Sequence, residues 1–163
     1  MKPFIFFVYL IIPLFVISQG DCAYNIDELQ FQRNGESIKI GYNEDTAIRL
    51  LGKPTSIHPY EYEMNETFGS LYLYEGCKLY FEEGKLYSWV FNDNSIAIGY
   101  SGKSLGVGDD ISQIGKVFPQ CRIIENCSTA TISLNHSQYQ MECTFIVIKI
   151  VNDKITEIMR HDC

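Results

Sequence analysis

Two stretches of this chain repeat one pattern, and this repeat constrains the fold more than any other feature. Gly41–Pro54 and Gly106–Pro119 have the same glycine-to-proline spacing and carry acidic residues at matching positions. A second shared pattern follows each of them, over Glu82–Asp93 in the first half and Val151–Asp162 in the second. Repeated patterns indicate repeated supersecondary units. The sequence therefore predicts two tandem units, each with a helix followed by an antiparallel sheet.

Each repeated stretch carries the signals of a short helix. Asn43 is a suitable N-cap, acidic residues follow it, and Gly52 with Pro54 ends the segment. The second stretch has a similar apolar stripe and stops at Pro119. The segments after both helices alternate in the manner of strands and are rich in β-favouring residues. We therefore expect an α+β fold in which the two helix-plus-antiparallel-sheet repeats form one continuous structure.

The first twenty residues have the composition of a secretory signal peptide. Lys2 precedes the apolar run Phe4–Ile17, which is interrupted by Pro13 and is shorter than the roughly 20 apolar residues that a spanning helix needs. A retained N-terminal anchor and acylation at Cys22 are the alternatives, although Asp21 does not suit acylation. The predicted organisation is a signal peptide over 1–20, a first repeat over 21–94 and a second over 95–163, in an exported protein, periplasmic or extracellular.

The charge of the chain disfavours two classes of partner. With 13 Lys and Arg against 20 Asp and Glu, the formal net charge is −7. Nucleic-acid phosphates and anionic membrane surfaces repel such a protein. We therefore expect an extracytoplasmic protein as partner, no nucleic acid, and no membrane insertion after cleavage of the signal peptide.

All six cysteines follow the predicted cleavage site, and an even number in an exported chain favours disulfides. Sequence alone leaves fifteen pairings open. If the last hairpin turns around Asp153, Cys143 faces Cys163, and cross-strand neighbours lie close enough to bridge. Cys121 and Cys127 could close a small loop, and Cys22 with Cys77 then follows by elimination.

The order of these motifs resembles the β-lactamase-inhibitor-protein-like fold, which small outer-membrane assembly lipoproteins also use. Gly41–Pro54 with Tyr80–Phe91 carries the resemblance in the first half, and Gly106–Pro119 with Lys149–Met159 carries it in the second. The resemblance implies helices on one face of an antiparallel sheet whose other face docks a partner protein. The chain lacks the lipid-accepting signal of the lipoproteins, so membrane anchoring is not carried over.

The chain contains no recognisable catalytic, cofactor or metal motif. His58, His136 and His161 are far apart in the sequence and stand near no nucleophile motif. The acidic pairs at 82–83 and 109–110 are explained as turn and helix-start residues. No cysteine or histidine cluster has the spacing of a zinc site. We therefore predict a protein that is not an enzyme, with no cofactor and no metal.

Aromatic residues crowd the first half, and aromatic surfaces are typical of protein-binding hot spots. Because alternate strand residues point to opposite faces, Tyr72 and Tyr74 lie outside if Leu71 and Leu73 are buried. The predicted partner-binding residues are Tyr60, Tyr62, Tyr72, Tyr74, Tyr87 and Trp89. Three alternatives remain: tyrosines that only cover a half-buried sheet, a small-ligand carrier or enzyme with a pocket between helix and sheet, and a structural accessory of the envelope.

Overall fold

In a computed structural model of the protein, the structure describes residues 23–39, 43–62, 67–120, 128–135 and 144–162. Within these ranges the chain forms twelve strands, two α-helices and two 3-10 turns. The strands are β1 Ala23–Asn25, β2 Gln30–Arg33, β3 Glu36–Lys39, β4 Ser56–Tyr62, β5 Thr67–Tyr74, β6 Cys77–Glu82, β7 Lys85–Phe91, β8 Ala97–Tyr100, β9 Lys103–Gly106, β10 Thr129–Asn135, β11 Thr144–Val151 and β12 Lys154–Asp162. The helices are α1 Glu44–Leu51 and α2 Ile114–Val117, and the 3-10 turns are Ile26–Glu28 and Ile111–Gln113.

Eight of the described strands form one large sheet in the order β1-β10-β11-β12-β7-β6-β5-β4. It consists of two antiparallel meanders, β4 to β7 and β10 to β12, with β1 added parallel to β10. The meanders join where β12 pairs antiparallel with β7, with Ile158 opposite Phe91 and Met159 opposite Val90. One sheet therefore extends across both halves of the chain.

The remaining four described strands form a small sheet in the order β3-β2-β8-β9, which packs on the large sheet. The ring of Phe31 in β2 lies 4.7 Å from that of Trp89 and 5.1 Å from that of Phe91, with both pairs edge to face. Phe31, Trp89 and Phe91 are at most 2% exposed. The core therefore lies between the two sheets, and the helical segments cover its remaining sides with the buried residues Ala47 and Ile114.

Tight turns set the register of the hairpins. Glu83–Gly84 and Asn152–Asp153 each have positive φ at both residues, as do two further two-residue turns in the small sheet. This conformation matches the twist of the flanking strands. In the last hairpin a bulge near Ile150 shifts the pairing, so that Thr144 lies opposite Asp162. The predicted turn centred on Asp153 is wrong, because a two-residue turn pairs Val151 with Lys154; beyond the bulge the register is the predicted one as far as Thr144 and Asp162, and Cys143 and Cys163 themselves lie outside the described residues.

The expectation of an α+β fold built from two helix-plus-sheet repeats is wrong, because the protein is mostly β. α1 has eight residues and α2 has four; Gly115 weakens the second helix and Pro119 prevents its continuation. The strands β3 and β8 have similar sequences and precede the two helices, but they do not begin separate structural units. Both pair with β2 in the small sheet.

A local correspondence between the two repeated stretches is nevertheless present. The Glu44 amide at the start of α1 donates to the Gly84 carbonyl at 3.3 Å, and the Ile111 amide donates to the Asp153 carbonyl at 2.9 Å. In both halves, therefore, a hairpin turn contacts the start of a helical segment. The proposed boundary between 94 and 95 falls between β7 and β8, and the division of the chain there stays a prediction.

Candidate functional site

The large sheet has one packed face and one face of half-exposed side chains. Trp89, Phe91 and Ile158 are fully buried on the packed face, here called the inner face. Residues directly opposite one another in paired strands share a face, and the next residue along a strand points the other way. Val90 and Met159, which pair across the joined strands, therefore belong to the second face, here called the outer face.

Three of the predicted partner-binding residues do not lie on the outer face. Tyr72 is 5% exposed and Trp89 is 0% exposed, so both are core residues. Tyr74 is half-buried, and its hydroxyl donates to the Gly52 carbonyl at 3.3 Å beside α1. The predicted orientation of β5 is thus reversed, because Tyr72 rather than Leu71 faces the core. Leu71 and Leu73 are only half-buried and point outward.

Helix α1 explains why a tyrosine is suitable at position 72 inside the core. Asn43 caps the helix by accepting from the Thr46 amide at 3.0 Å, which confirms the predicted N-cap and places Glu44 in the first turn. The Tyr72 hydroxyl donates to Glu44 Oε2 at 2.8 Å. Burial, followed by this hydrogen bond, raises the pKa of Tyr72 to about 12. The ring therefore packs in the core while its hydroxyl reaches the helix end.

The other predicted aromatic residues do come together on the outer face. Tyr60 and Tyr87 line a cavity of about 230 Å³. Its remaining lining residues are Tyr80, Ser88, Val90, Arg160 and His161. The rings of Tyr60 and Tyr80 meet edge to face at 5.0 Å. A register shift between β6 and β7 leaves Tyr87 as the extra residue of a bulge, which is how it reaches the cavity beside Ser88.

Arg160 borders this cavity, but its side chain belongs to the inner face, because it lies two residues from Ile158 and opposite the buried Ile146. It is 9% exposed, and its guanidinium carbon lies 4.8 Å from the centre of the Tyr87 ring. Its Nη1 donates to the Tyr87 carbonyl, and its own carbonyl accepts from Ser88 Oγ at 3.3 Å. These contacts fix the guanidinium beside β7, since a cation over an aromatic face is attracted by the ring.

Apolar side chains extend from the cavity across the outer face. All of them are half-buried, and they lie on four strands of the large sheet: β5 and, on the far side of β6, the neighbouring strands β7, β12 and β11. We call this set the outer strip: Leu71, Leu73, Val90, Phe145, Val147 and Met159. Tyr80 pairs with Leu71 and therefore connects the strip to the cavity. The result is an apolar and aromatic surface that the exposed Lys78 interrupts, since Lys78 pairs with both Leu73 and Val90.

Sequence reasoning missed part of this site. Arg160, Ser88 and Val90 were not singled out, and His161 was taken for an isolated surface residue. One signal was available. When the two shared hairpin endings are aligned, Arg160 stands where the first half has Phe91, two residues after an apolar position. The side chain of Tyr62 lies outside the described residues, as do those of all the cysteines except Cys77.

Cys77 is buried on the inner face, and its thiol is free in the structure. Burial is the largest cause that raises its pKa to about 12, so the thiol is not poised as a nucleophile. Its predicted partner, Cys22, and the residues of the other two predicted disulfides, Cys121 with Cys127 and Cys143 with Cys163, lie outside the described ranges.

The described residues leave little room beside α1, whereas a cavity of about 280 Å³ beside α2 is lined by residues that include Lys116, Tyr24 and Tyr100. A void bordered by Ala47 and Leu50 of α1 and by Leu79 of the large sheet has a volume of about 10 Å³. No group of three or more His, Cys, Asp or Glu that could hold a metal ion occurs in the part of the chain that the structure describes. In that same part, no helix is long and apolar enough to cross a membrane.

Comparisons with known proteins identify no family. No protein-family profile matches the chain, and no curated protein matches it. Among solved structures, the chain is similar to an extracellular protein containing a SCP domain from Bacillus anthracis str. Ames, with a TM-score of 0.46 and 11% sequence identity. The match covers 76% of this chain and 44% of that one, so the chain spans less than half the length of that protein.

Proposed function

We propose that this protein is an exported, non-catalytic binding module that docks another extracytoplasmic protein on the outer face of its large sheet. The observation that carries the proposal is the outer strip, together with the adjoining tyrosine-lined cavity. Exposed apolar surface with polar residues around it is typical of protein interaction sites. The inner face of the same sheet carries the packed core residues. The exposure of apolar side chains on the outer face is therefore not explained by loose packing of the whole sheet.

The sizes of the openings favour a protein partner over a small molecule. Pockets for small ligands usually measure roughly 300–1,000 Å³. Among the described residues, the void beside α1 is about 10 Å³, the outer cavity is about 230 Å³ and a cavity beside α2 is about 280 Å³. The second volume suits a single anchoring side chain of a partner, which is how hot spots at protein interfaces are filled.

Export is part of the proposal and rests on the sequence. The apolar run Phe4–Ile17 after Lys2 and the absence of cysteine before residue 22 are typical of a secretory signal followed by a mature exported chain. The net charge of −7 supports a protein partner over a nucleic acid or an anionic membrane.

Site-specific photo-crosslinking in the native host tests the docking face. A photoreactive amino acid at Val90 or Met159 would sit in the outer strip, and one at Ser104 would sit on an exposed position of the small sheet as the matched control. We expect one protein adduct in near-stoichiometric yield from the two outer positions and none from Ser104. The same adducts from all three positions, or none from the outer positions, would contradict the proposal.

A further inference from the structure

The cavity beside α2, here called the α2 cavity, lies where β1, the β8–β9 hairpin and the end of α2 meet. Its volume is about 280 Å³. The described residues that line it are different from those that line the outer cavity, and none of them belongs to the outer strip. We propose that the α2 cavity binds a compact aromatic carboxylate, a function separate from the docking of a partner protein.

Two lysines contribute to the lining of the α2 cavity and bring positive charge to it. Lys103 belongs to β9 and Lys116 to α2, and both are exposed. The Lys103 Nζ donates to the Lys116 carbonyl at 2.9 Å, which holds its ammonium group beside the end of the helix. An ammonium group has three N–H donors, and this bond uses one of them. In a chain with a net charge of −7, two ammonium groups at one cavity favour an anionic ligand.

Two acidic side chains of the described residues interact with this region, and both have other partners. The hydroxyl of Tyr100, which lines the cavity, is hydrogen-bonded to Glu28. Burial, followed by this hydrogen bond, raises the pKa of Tyr100. Hydrogen bonds from Ser112 are the main cause that lowers the pKa of Asp110, and the charge of Lys116 contributes less. The lysines are therefore the donors for an anionic head group.

Aromatic rings form the apolar wall of the α2 cavity. The rings of Tyr24 and Tyr100, which line it, meet edge to face at 5.0 Å. The ring of the fully buried Phe118 packs on both, 5.0 Å from that of Tyr24 and 5.9 Å from that of Tyr100. The Gln120 amide donates to the Tyr24 hydroxyl at 2.8 Å and ties the chain after α2 to β1. These contacts fix the wall before a ligand binds, which lowers the entropic cost of binding.

The size and the chemistry of the cavity select the class of ligand. Pockets for small ligands usually measure roughly 300–1,000 Å³, so a volume of about 280 Å³ suits a compact molecule. A single aromatic ring packs favourably against tyrosine rings. A carboxylate on that ring pairs with the ammonium groups of Lys103 and Lys116, which act as point charges. A ring that carries a carboxylate therefore uses both the wall and the lysines.

Two probes that share a ring and differ in charge test the proposal: benzoate and benzamide. Each is titrated into the isotope-labelled protein at neutral pH, and backbone amide shifts are followed by NMR. We expect benzoate to shift the amides of Ser101, Lys103 and Gln120 with a dissociation constant on the order of 1 mM, and benzamide to bind roughly tenfold more weakly. Equal affinities of the two probes, or benzoate shifts confined to other parts of the chain, would overturn the inference.

Lysine variants then locate the carboxylate. Lys103→Gln and Lys116→Gln should each weaken benzoate binding roughly two- to five-fold, and the double variant roughly tenfold, because each substitution removes one exposed charge. The affinity for benzamide should stay the same in all of them. Lys53→Gln is the matched control, since Lys53 is also exposed but is not among the residues that line the cavity. An unchanged benzoate affinity in the double variant, or an equal loss in Lys53→Gln, contradicts the proposal.

Two safeguards separate this inference from failures of folding and of the proposed function. Lys103 donates to the helix end, so the fluorescence of the buried Trp89 is recorded to check that each variant is folded. The comparison of benzoate with benzamide uses the unaltered protein and decides the proposal even where a lysine variant does not fold. Photo-crosslinking from Val90 and Met159 tests only the proposed function, because neither residue lines the α2 cavity.

Discussion

Replacement of Tyr72 and of Tyr80 by alanine should have very different effects on stability, although both are tyrosines in neighbouring strands. Tyr72 is 5% exposed on the inner face, whereas Tyr80 is half-buried on the outer face. The structure therefore assigns the first to the core and the second to the outer face. A measured stability for each variant tests that assignment directly.

The expected magnitudes follow from burial and from the hydrogen bond to Glu44. Truncation of a buried aromatic residue costs roughly 3–5 kcal/mol, and Tyr72→Ala should fall in this range. Tyr72→Phe keeps the ring and loses only the hydroxyl contact with the Glu44 carboxylate, which is worth about 1–2 kcal/mol. Tyr80→Ala loses the edge-to-face contact with Tyr60 and part of its burial, so about 1 kcal/mol is expected. Domains of this size unfold with roughly 5–15 kcal/mol.

The chain has one tryptophan, and Trp89 is fully buried, so its fluorescence reports unfolding without a label. Urea titrations of the wild type and the three variants give the free energies of unfolding. The order of destabilisation should be Tyr72→Ala, then Tyr72→Phe and Tyr80→Ala close together. A Tyr80→Ala variant that is as unstable as Tyr72→Ala would show that the outer face is packed, and the reasoning on both faces would then fail.

Two further predictions concern pH and backbone conformation. Burial is the main cause that raises the pKa values of Tyr72 and Tyr74 from 10.0 to about 12, so the folded state holds these protons more strongly than the unfolded state. The stabilisation should be complete below pH 10 and should be lost as the pH rises toward 12. Trp89 fluorescence should show that this loss is less steep in Tyr72→Phe than in the wild type. Gly76→Ala should destabilise the protein by roughly 2 kcal/mol or more, because Gly76 has a φ of 69° and an added Cβ would lie 2.0 Å from Asp93 Oδ2. Gly84 has a φ of 73° but no atom within 4 Å of an added Cβ, so Gly84→Ala should cost only the backbone strain. Equal melting temperatures for the two variants would contradict this reasoning.

Local features of the fold follow from the sequence, since they depend on a few neighbouring residues. Asn43 caps α1 as its side chain predicts. Glu83–Gly84 forms the predicted turn, because glycine accepts positive φ at low cost. The pairing in the hairpins does not follow from the turns alone, because bulges shift the register between β6 and β7 and between β11 and β12. Assignment of strands to sheets could not be predicted either, because β3 and β8 carry similar local patterns whether they pair within one unit or across both.

The candidate site was only partly predictable, because the sequence pattern does not show which side of a strand faces the core. Alternation shows that Tyr72 and Leu71 point opposite ways, but both are apolar enough to face a core, so the pattern does not choose between them. Tyr87 reaches the outer cavity through a bulge that one strand alone does not reveal. Arg160 lies beside it only because β12 pairs with β7, a contact between distant parts of the chain.

That pairing of β7 with β12 has a consequence for how the protein folds. Phe91 and Ile158 are far apart in sequence, and closing so long a loop is slow compared with forming a hairpin. The four-stranded meander from β4 to β7 uses only contacts between consecutive strands, so it can assemble early. The cavity takes residues from both β7 and β12, and it therefore comes into existence only when the two meanders meet. A chain arrested before that step has its hairpins but not the outer cavity.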